Sequence, residues 1–393
     1  MVRYYAPCFD SCAGSWRPAV PSASEPECPS SSAAPLALRV LLTLVVAWVA
    51  AELCVWLHTP IPWMIGPLLA TALVSVVGVP TASWIPLRNS GQWVIGTALG
   101  LYFTPEVGAA VVRLWWAIAL GIAWALALGW SFGAWLRRVH AGTLEHLGPD
   151  ELRSTTYFAG AIGGASEMTL ISERHGARTD LVAAAHSLRV LLVTVTIPFA
   201  MQAWGVSGLD ATPPGAREVS GTGLAVLASL TLIGALAMRR LGRANPWFMG
   251  ALLVTMLITL AGHRLSAIPP ALSAAAQLVI GVSLGVRFTP AFVHTAPRWL
   301  GSVAVASLFM MAICAGFAWV MSQLTGLHPA TLVLGTSPGG IAEMSITAKV
   351  LRLGVPMVTA FQVCRLVAVL VLAEPVFRLW TLRSVSGGTA PRG

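Results

Sequence analysis

The sequence predicts an all-α membrane protein that crosses the bilayer many times and consists of two copies of one unit. The chain has 393 residues, of which 56% are hydrophobic and 10% are charged, and its mean hydropathy is +0.77. A soluble domain carries about 25% charged residues. The apolar residues form twelve separate segments, most of them close to the roughly 20 residues that a transmembrane helix needs. Three motifs occur twice, in the same order.

The apolar segments define the order of elements and the domain limits. In the first half they lie near 36–57, 62–79, 90–103, 111–135, 155–172 and 179–204, and in the second half near 221–238, 246–262, 271–286, 298–322, 331–350 and 355–380. We therefore predict membrane repeats at 36–204 and 221–380, joined by a linker at 205–220. Residues 1–35 are rich in Ser, Pro and Ala and lack an apolar core, which predicts a disordered cytoplasmic tail or a start placed too far upstream. Residues 381–393 are a second predicted disordered tail.

The duplication is visible in three matched blocks. Pro62-Trp63-Met64-Ile65-Gly66 returns as Pro246-Trp247-Phe248-Met249-Gly250. Gln92-Trp93-Val94-Ile95-Gly96, with Gly100 four residues on, returns as Gln277-Leu278-Val279-Ile280-Gly281 with Gly285. Gly163-Gly164-Ala165-Ser166-Glu167-Met168 returns as Gly339-Gly340-Ile341-Ala342-Glu343-Met344. The Gly-x-x-x-Gly pairs in the second block predict close helix packing.

The arginines indicate how each copy is oriented. Clusters follow the fourth segment at Arg137 and Arg138 and the seventh at 239–243, and Arg39 lies at the start of the first. Twelve full crossings would place the 239–243 cluster outside, against the positive-inside rule. If each Gly-Gly-Glu segment enters and returns on the same side, every cluster is cytoplasmic. Five crossings plus one broken or re-entrant segment per copy make the two repeats inverted, and we predict that arrangement.

The two Gly-Gly-Glu segments are the predicted site. Glycine pairs break membrane helices, and a glutamate at membrane depth is costly, so a duplicated glutamate indicates a function. Glu167 and Glu343 have two open roles: each could cap the positive N-terminus of a half-helix, or each could bind a proton or cation. Ser166, Ser337 and the glycine backbone could supply neutral polar contacts.

Each Gly-Gly-Glu segment is followed by an apolar helix that carries one arginine. His186 and Arg189 share a helix face, as do Gln362 and Arg365. We expect each arginine to lie opposite its broken segment and to pair with a glutamate or a bound anion, because an unpaired buried arginine is very costly. His186 could titrate near neutral pH or be a satisfied core histidine. The predicted binding residues are Gly163, Gly164, Ser166, Glu167, His186, Arg189, Ser337, Gly339, Gly340, Glu343, Gln362 and Arg365.

Several other classes of function do not fit the sequence. The net charge of +9 comes from arginines scattered at helix ends, which is typical of membrane anchoring and not of a nucleic-acid surface. Gly335-Thr336-Ser337-Pro338-Gly339 matches a hydrolase elbow, but that elbow requires a strand before the serine. The eight histidines are dispersed, so neither a copper nor an iron centre is indicated. We predict no enzymatic activity, no metal and no cofactor.

The doubled Pro-Gly-Gly-x-x-Glu-Met block followed by Gln-x-x-Arg resembles the AbrB-like membrane protein duplication family of Proteobacteria. The resemblance covers roughly 36–380, and the second copy follows the pattern closely. The first copy departs from it, with Ile162 in place of proline and His186 in place of glutamine, so the two halves need not be equivalent. Members are labelled regulators of gene expression or ammonia monooxygenases, and the resemblance implies kinship with transporters built from inverted repeats.

From these observations we predict an ion-coupled secondary transporter of a small, anionic solute in the bacterial inner membrane. Its predicted partners are the lipid bilayer and a small-molecule or ion substrate, with no direct contact to nucleic acid; a homo-oligomer stays open. The alternative is a membrane-bound regulator of gene expression that acts through a partner. A transporter needs a solvated cavity at the Gly-Gly-Glu pair, whereas a regulator needs a folded output surface, for which 137–154 is the longest candidate.

Overall fold

The computed structural model describes residues 35–144, 147–206, 208 and 218–386. Nearly all of the predicted N-terminal tail and most of the predicted linker and C-terminal tail lie outside these ranges. Every regular element among the described residues is an α-helix. The helices are α1 Leu36–Trp56, α2 Pro62–Val76, α3 Ile85–Gly100, α4 Pro105–Arg113, α5 Trp115–His140, α6 Pro149–Gly160, α7 Ala165–Arg174, α8 Thr179–Ala203, α9 Gly221–Arg240, α10 Pro246–Leu260, α11 Pro270–Gly285, α12 Pro290–Thr295, α13 Pro297–Thr325, α14 Pro329–Thr336, α15 Ile341–Leu351 and α16 Val355–Ser386.

The apolar segments of the sequence coincide closely with these helices. The two places where a segment and a helix do not correspond one to one lie at repeated motifs. Each Gly-Gly-Glu segment is split by its glycines into two half-helices, α6 with α7 and α14 with α15. The sequence Phe-Thr-Pro also occurs twice, at 103–105 and 288–290. Each copy starts a short helix that we did not predict, α4 and α12, because proline at the first helical position favours a new helix start. The axes of α3 and α4 are bent by 88° at this point.

The helices are long and apolar enough for a multi-pass membrane protein. Among the described residues six helices qualify as single spans, or seven if the bent pair α3–α4 counts as one. The six are α1, α5, α8, α9, α13 and α16. The shorter apolar helices α2, α10 and α11 contain 15 or 16 residues, which corresponds to about 23 Å of helix.

The Gly-x-x-x-Gly pairs pack closely against other helices, as predicted, and these contacts join the two halves. Each pair packs against the Pro-Trp helix of the other half, so that α3 packs on α10 and α11 packs on α2. A Cβ atom on Gly281 would lie 2.6 Å from the carbonyl oxygen of Met64, and one on Gly96 would overlap the carbonyl oxygen of Phe248. Only glycine permits helix backbones to approach this closely.

The helices form two groups. Helices α1–α3 and α9–α11 pack mainly on one another, and we call them the scaffold. Helices α5–α8 and α13–α16 form the second group, which we call the core bundle; there α8 packs on α13 and α16 packs on α5. Each contact within a group has a counterpart in the other half of the chain. The half-helix pairs α6–α7 and α14–α15, called here the first and second hairpins, belong to the core bundle.

Candidate functional site

Each buried arginine lies against the break of its own hairpin, as predicted. Arg189 is 1% exposed and donates hydrogen bonds to the carbonyl oxygens of Ala159 and Gly160 at 3.3 Å and of Ala161 at 2.8 Å. Arg365 is 5% exposed and donates to the carbonyl oxygens of Ser337 and of Gly339, the latter at 2.7 Å. These carbonyls end α6 and α14, where a helix leaves its last oxygens unpaired and carries partial negative charge.

Of the two partners expected for each arginine, a glutamate or a bound anion, the glutamate is not the partner among the described residues. Neither Arg189 nor Arg365 forms an ion pair there, because the unpaired carbonyls at the end of the preceding half-helix take the place of a carboxylate. Arg287, two residues after the end of α11, is a positive charge that acts on Glu343. Each guanidinium keeps one buried nitrogen, Nε, without a hydrogen-bond partner in this part of the chain.

His186 and Gln362 have the same role in the two halves. His186 lies 2.9 Å from the carbonyl oxygen of Phe158 through Nε2 and 2.7 Å from an Arg189 nitrogen through Nδ1. Gln362 donates to the carbonyl of Leu334 at 2.6 Å and accepts from Arg365 at 2.6 Å. An arginine has no acceptor, so Nδ1 accepts and Nε2 carries the proton. This geometry is that of a neutral histidine satisfied in the core.

Each glutamate folds back onto the N-terminus of its own half-helix. Gly164 and Gly340 are the N-caps of α7 and α15, and a Cβ atom on either would overlap the carboxylate of the glutamate three positions later. This is the position of the glutamate in a capping box, where the carboxylate lies near the positive end of the helix dipole. Both carboxylates are thus placed where a capping role requires them, and a proton- or cation-binding role stays a prediction.

The remaining motif residues close the break. A Cβ atom on Gly163 or Gly339 would lie 2.8 Å from Cγ of Met168 or Met344, so the first glycine of each pair makes room for the methionine. Ser337 is fully buried and its hydroxyl contacts the carbonyl of Leu334 and the sulfur of Met344. Ser166 is exposed on α7, so the two serines do not share an environment.

The two hairpins differ in what surrounds them. All but two of the residues of α15 are buried, whereas only Met168 and Ser172 are buried in α7. Helix α15 packs against α3 of the scaffold, and α7 has no comparable packing on α11 among the described residues. Glu343 is consequently buried, at 8% exposure, while Glu167 is half-buried.

Cavities near the site are small and apolar. A cleft of about 240 Å³ lies beside the first break and is lined by Ala125, Leu126, Gly129, Trp130, Tyr157, Ala161, Ile162, Val369 and Ala373. A second, of about 210 Å³, lies in the scaffold. Neither reaches Glu167 or Glu343, so in this conformation neither provides the solvated path that a transported solute requires. The described residues contain no cluster of three or more His, Cys, Asp or Glu side chains suited to a metal.

Two contacts that the sequence analysis missed hold the hairpins. Thr155, in the middle of α6, accepts a hydrogen bond from the backbone N–H of Arg178, after α7, at 2.9 Å. Thr331 lies against Gly354 at the matching place in the second half. Lys349, the chain's only lysine, donates from α15 to the Ser273 hydroxyl of α11 at 3.2 Å. The isolation of this lysine in an arginine-rich chain was the available signal.

Comparisons with known proteins agree with the predicted family. The family profile described as "Transition state regulatory protein AbrB" matches residues 63–381. "Uncharacterized protein YhjN" of Bacillus subtilis (strain 168) is 27% identical over 345 residues, which cover 81% of this chain and 87% of that protein. "Putative regulator AbrB" of Escherichia coli (strain K12) is 23% identical over 325 residues, which cover 82% of this chain and 90% of that protein.

Proposed function

Starting from the fact that the chain belongs to the AbrB family, we propose that it is an ion-coupled secondary transporter of a small anion in the bacterial inner membrane. The observation that carries the proposal is the pair of broken hairpins, each with two half-helix termini closed by a buried arginine and a folded-back glutamate. Secondary transporters place substrate and coupling ions at such breaks. In this proposal the protein binds and moves its solute without catalysing a reaction on it.

The proposed topology is two inverted repeats with re-entrant hairpins. It is supported by the contacts of Thr155 with Arg178 and of Thr331 with Gly354, since in each hairpin the residue after the second half-helix lies beside the first half-helix of the same hairpin. Gln202, near the end of α8, donates to the carbonyl of His58, just after α1, which agrees with both ends being extracytoplasmic. The arginine clusters then lie in the cytoplasm.

Charge counting links the coupling ion to an anionic substrate. Within the two repeated motifs, Arg189 and Arg365 contribute two positive charges and Glu167 and Glu343 two negative charges, while the partial charges of the four half-helix termini cancel; Arg287 adds a further positive charge that acts on Glu343. A proton or cation bound at one glutamate leaves one uncompensated positive charge inside the protein. Buried unpaired charge is costly, so a monovalent anion becomes favourable at that moment. Proton or cation uptake and anion binding would thus be coupled.

Glu343 is the glutamate that we assign to coupling in this conformation. It is enclosed by α15 and the scaffold, and its charge is close to that of Arg287. Protonation would release its carboxylate from the N-terminus of α15 and expose backbone N–H groups that bind anions. Glu167 takes the equivalent part when the first hairpin is the enclosed one.

The test is proton flux driven by anions in proteoliposomes loaded with a pH-sensitive dye. A panel of small carboxylates and inorganic anions is added outside, and the expected result is anion-dependent acidification of the lumen. Glu343→Gln, which keeps the shape but removes the titratable charge, should abolish it. Glu52→Gln on exposed α1 is the matched control and should leave it unchanged. Full anion-dependent flux by Glu343→Gln protein would refute the coupling role.

A regulator that acts through a partner is the second candidate, favoured by the description of the Escherichia coli relative as a regulator. The output surface expected at 137–154 is small, since residues through His140 belong to α5 and residues from Pro149 onward to α6. If regulation is the function, a deletion strain should show altered transcripts that Glu343→Gln protein restores in full. A transport function predicts that the same variant fails to restore them.

A further inference from the structure

Lys349 connects the docked second hairpin to the scaffold. Its ammonium group donates to the Ser273 hydroxyl across the gap between α15 and α11 at 3.2 Å. Helix α15 is also in contact with α3, and Ile341, Met344 and Ile346 share one apolar cluster with scaffold residues such as Ile95 and Phe248. The Lys349–Ser273 contact is therefore a direct polar link between the hairpin and the scaffold of the same half.

The duplication places two opposite charges at the matching positions of the first half. Lys349 stands six residues after Glu343, and Glu173 stands six residues after Glu167. Ser273 stands four residues before Gln277 in α11, and Arg88 stands four residues before Gln92 in α3. No gap separates these positions from the repeated motifs. Glu173 and Arg88 are thus the counterparts of Lys349 and Ser273.

These two residues are apart in this structure. Glu173 is exposed on α7, and neither it nor Arg88 takes part in an ion pair among the described residues. The buried Nε of Arg88 has no hydrogen-bond partner in that part of the chain. The apolar cluster around the first break contains Phe158, Ala161 and Met168 but no buried residue of the scaffold. The first hairpin is undocked where the second is docked.

We propose that Arg88 and Glu173 are positioning residues that form an ion pair in a second conformation, in which the first hairpin docks on the scaffold as the second does here. The Lys349–Ser273 link opens in that conformation. The inference rests on the proposed function because it requires that both conformations are visited. The pairing of residues follows from the repeat register, and opposite charges there offset the desolvation of docking.

The proposed topology permits the pair. Arg88 lies in the first turns of α3 and Glu173 in the last turn of α7, and with α1 starting in the cytoplasm both positions are at the cytoplasmic surface. Ser273 and Lys349 are then at the opposite surface. Docking of one hairpin at each surface in turn would close that surface, so the two links would mark the two closed states.

Crosslinking of cysteine pairs in the full chain tests the inference without a transport assay. The parent carries serine or alanine at its six native cysteines. A long side chain spans each contact, so the Cα atoms stand too far apart for a disulfide, and a short bifunctional thiol reagent is used. Ser273→Cys with Lys349→Cys reports the docked second hairpin. Arg88→Cys with Glu173→Cys reports the second conformation, and Arg88→Cys with Arg174→Cys is the control facing another direction.

We expect the Arg88–Glu173 cysteine pair to crosslink several-fold more than the control pair, and a prior crosslink at 273–349 to suppress it. Yields equal to the control in protein that elutes as a single species overturn the inference, and so does crosslinking that a 273–349 crosslink leaves unchanged. Charge reversal provides a second measurement. Arg88→Glu and Glu173→Arg alone should each slow anion-dependent flux several-fold, and the double variant should recover it; no recovery overturns the pair.

The two proposals fail separately. Selective, mutually exclusive crosslinks in protein that moves no anion would retain the second conformation and reject transport. Anion-dependent flux in protein whose 88–173 cysteine pair crosslinks no better than the control would retain transport and reject the ion pair.

Discussion

The two hairpins are nearly identical inside and different outside. In both, an arginine closes the end of the first half-helix, a histidine or glutamine orients that arginine, and a glutamate closes the start of the second half-helix. Yet α15 is enclosed by the scaffold and α7 is largely exposed. The repeated motif therefore determines the internal closure of a hairpin, and residues outside the motif determine whether that hairpin docks.

This separation has a physical reason. The internal contacts satisfy backbone groups that cannot be hydrated at membrane depth, and leaving such groups unpaired is costly in either conformation. Docking on the scaffold involves apolar packing and a few polar contacts. These contribute less free energy than the internal hydrogen bonds, so docking can be reversed. A rigid hairpin on a reversible surface is the kind of bistable element that conformational switching requires.

The largest effect is expected from the arginines, and it tests whether the two halves are equal inside. Arg365→Met removes the side-chain donor of the Gly339 carbonyl and one of the two side-chain donors of the Ser337 carbonyl, and Arg189→Met removes the arginine donors at Ala159–Ala161. We expect each to lower the free energy of unfolding by about 4 kcal/mol, because two or three buried carbonyl oxygens lose a charged donor and an unsatisfied buried acceptor costs about 1–3 kcal/mol. Thermal unfolding of purified protein in detergent measures this.

Arg298→Met, on the exposed start of α13, is the control for the arginine variants and should change little. A large difference between the two arginine variants would break the internal equivalence of the hairpins. If Glu343→Ala rescued Arg365→Met, the glutamate would be the partner of Arg365 after all.

The scaffold glycines are expected to show the next effect, again equal in the two halves. Gly96→Ala and Gly281→Ala drive a methyl group into the backbone of the other half, and overpacking of this kind costs about 3 kcal/mol. Gly316→Ala in α13, where nothing lies within 4 Å, is the control and should be neutral or stabilising, since alanine favours helix. If Gly281→Ala behaved like Gly316→Ala, the close approach of α11 to α2 would be refuted.

Much of the fold could be predicted because its signals are local. The apolar segments gave helix ends such as Leu36, Thr179 and Gly221 almost to the residue, and the repeated motifs identified equivalent helices before any contact was known. The breaks at Gly163–Gly164 and Gly339–Gly340 also lie where glycine pairs predict them.

The hydrogen-bond partners of the two arginines could not be predicted, because the sequence does not show where backbone carbonyl oxygens are left unpaired at a helix end. We expected a glutamate or a bound anion opposite Arg189 and Arg365, because the only negative charges that the sequence shows are carboxylates. The actual acceptors are carbonyl oxygens, which every residue carries and which act as partners only where a helix ends. The unequal docking was equally hidden, because two matched motifs contain no information about which copy the scaffold encloses.

Removing the two glutamates should lower the free energy of unfolding by different amounts in the two hairpins, which makes the comparison between them quantitative. Glu343→Ala exposes N–H groups of α15 that water cannot reach, and we expect a loss of about 2 kcal/mol. Glu167→Ala removes the same cap from α7, whose first turn is partly exposed, and we expect about 0.5 kcal/mol. Unfolding midpoints of the two variants, measured side by side, decide the matter. Equal losses would mean that both hairpins are enclosed in solution.

The smallest change in stability is expected at His186, where the two halves differ in sequence but form the same hydrogen bonds. His186→Gln installs in the first half the residue of the second, which can accept from Arg189 and donate to Phe158 as Gln362 does to its partners. We expect the free energy of unfolding to change by less than about 1 kcal/mol, whereas His186→Leu, which satisfies neither partner, should lose about 2 kcal/mol. Because the bonded histidine is neutral, His186→Gln should also leave the pH dependence of anion-driven proton flux unchanged. A shifted pH profile in that variant would show that His186 carries a proton during transport and that the first hairpin uses a group which the second lacks.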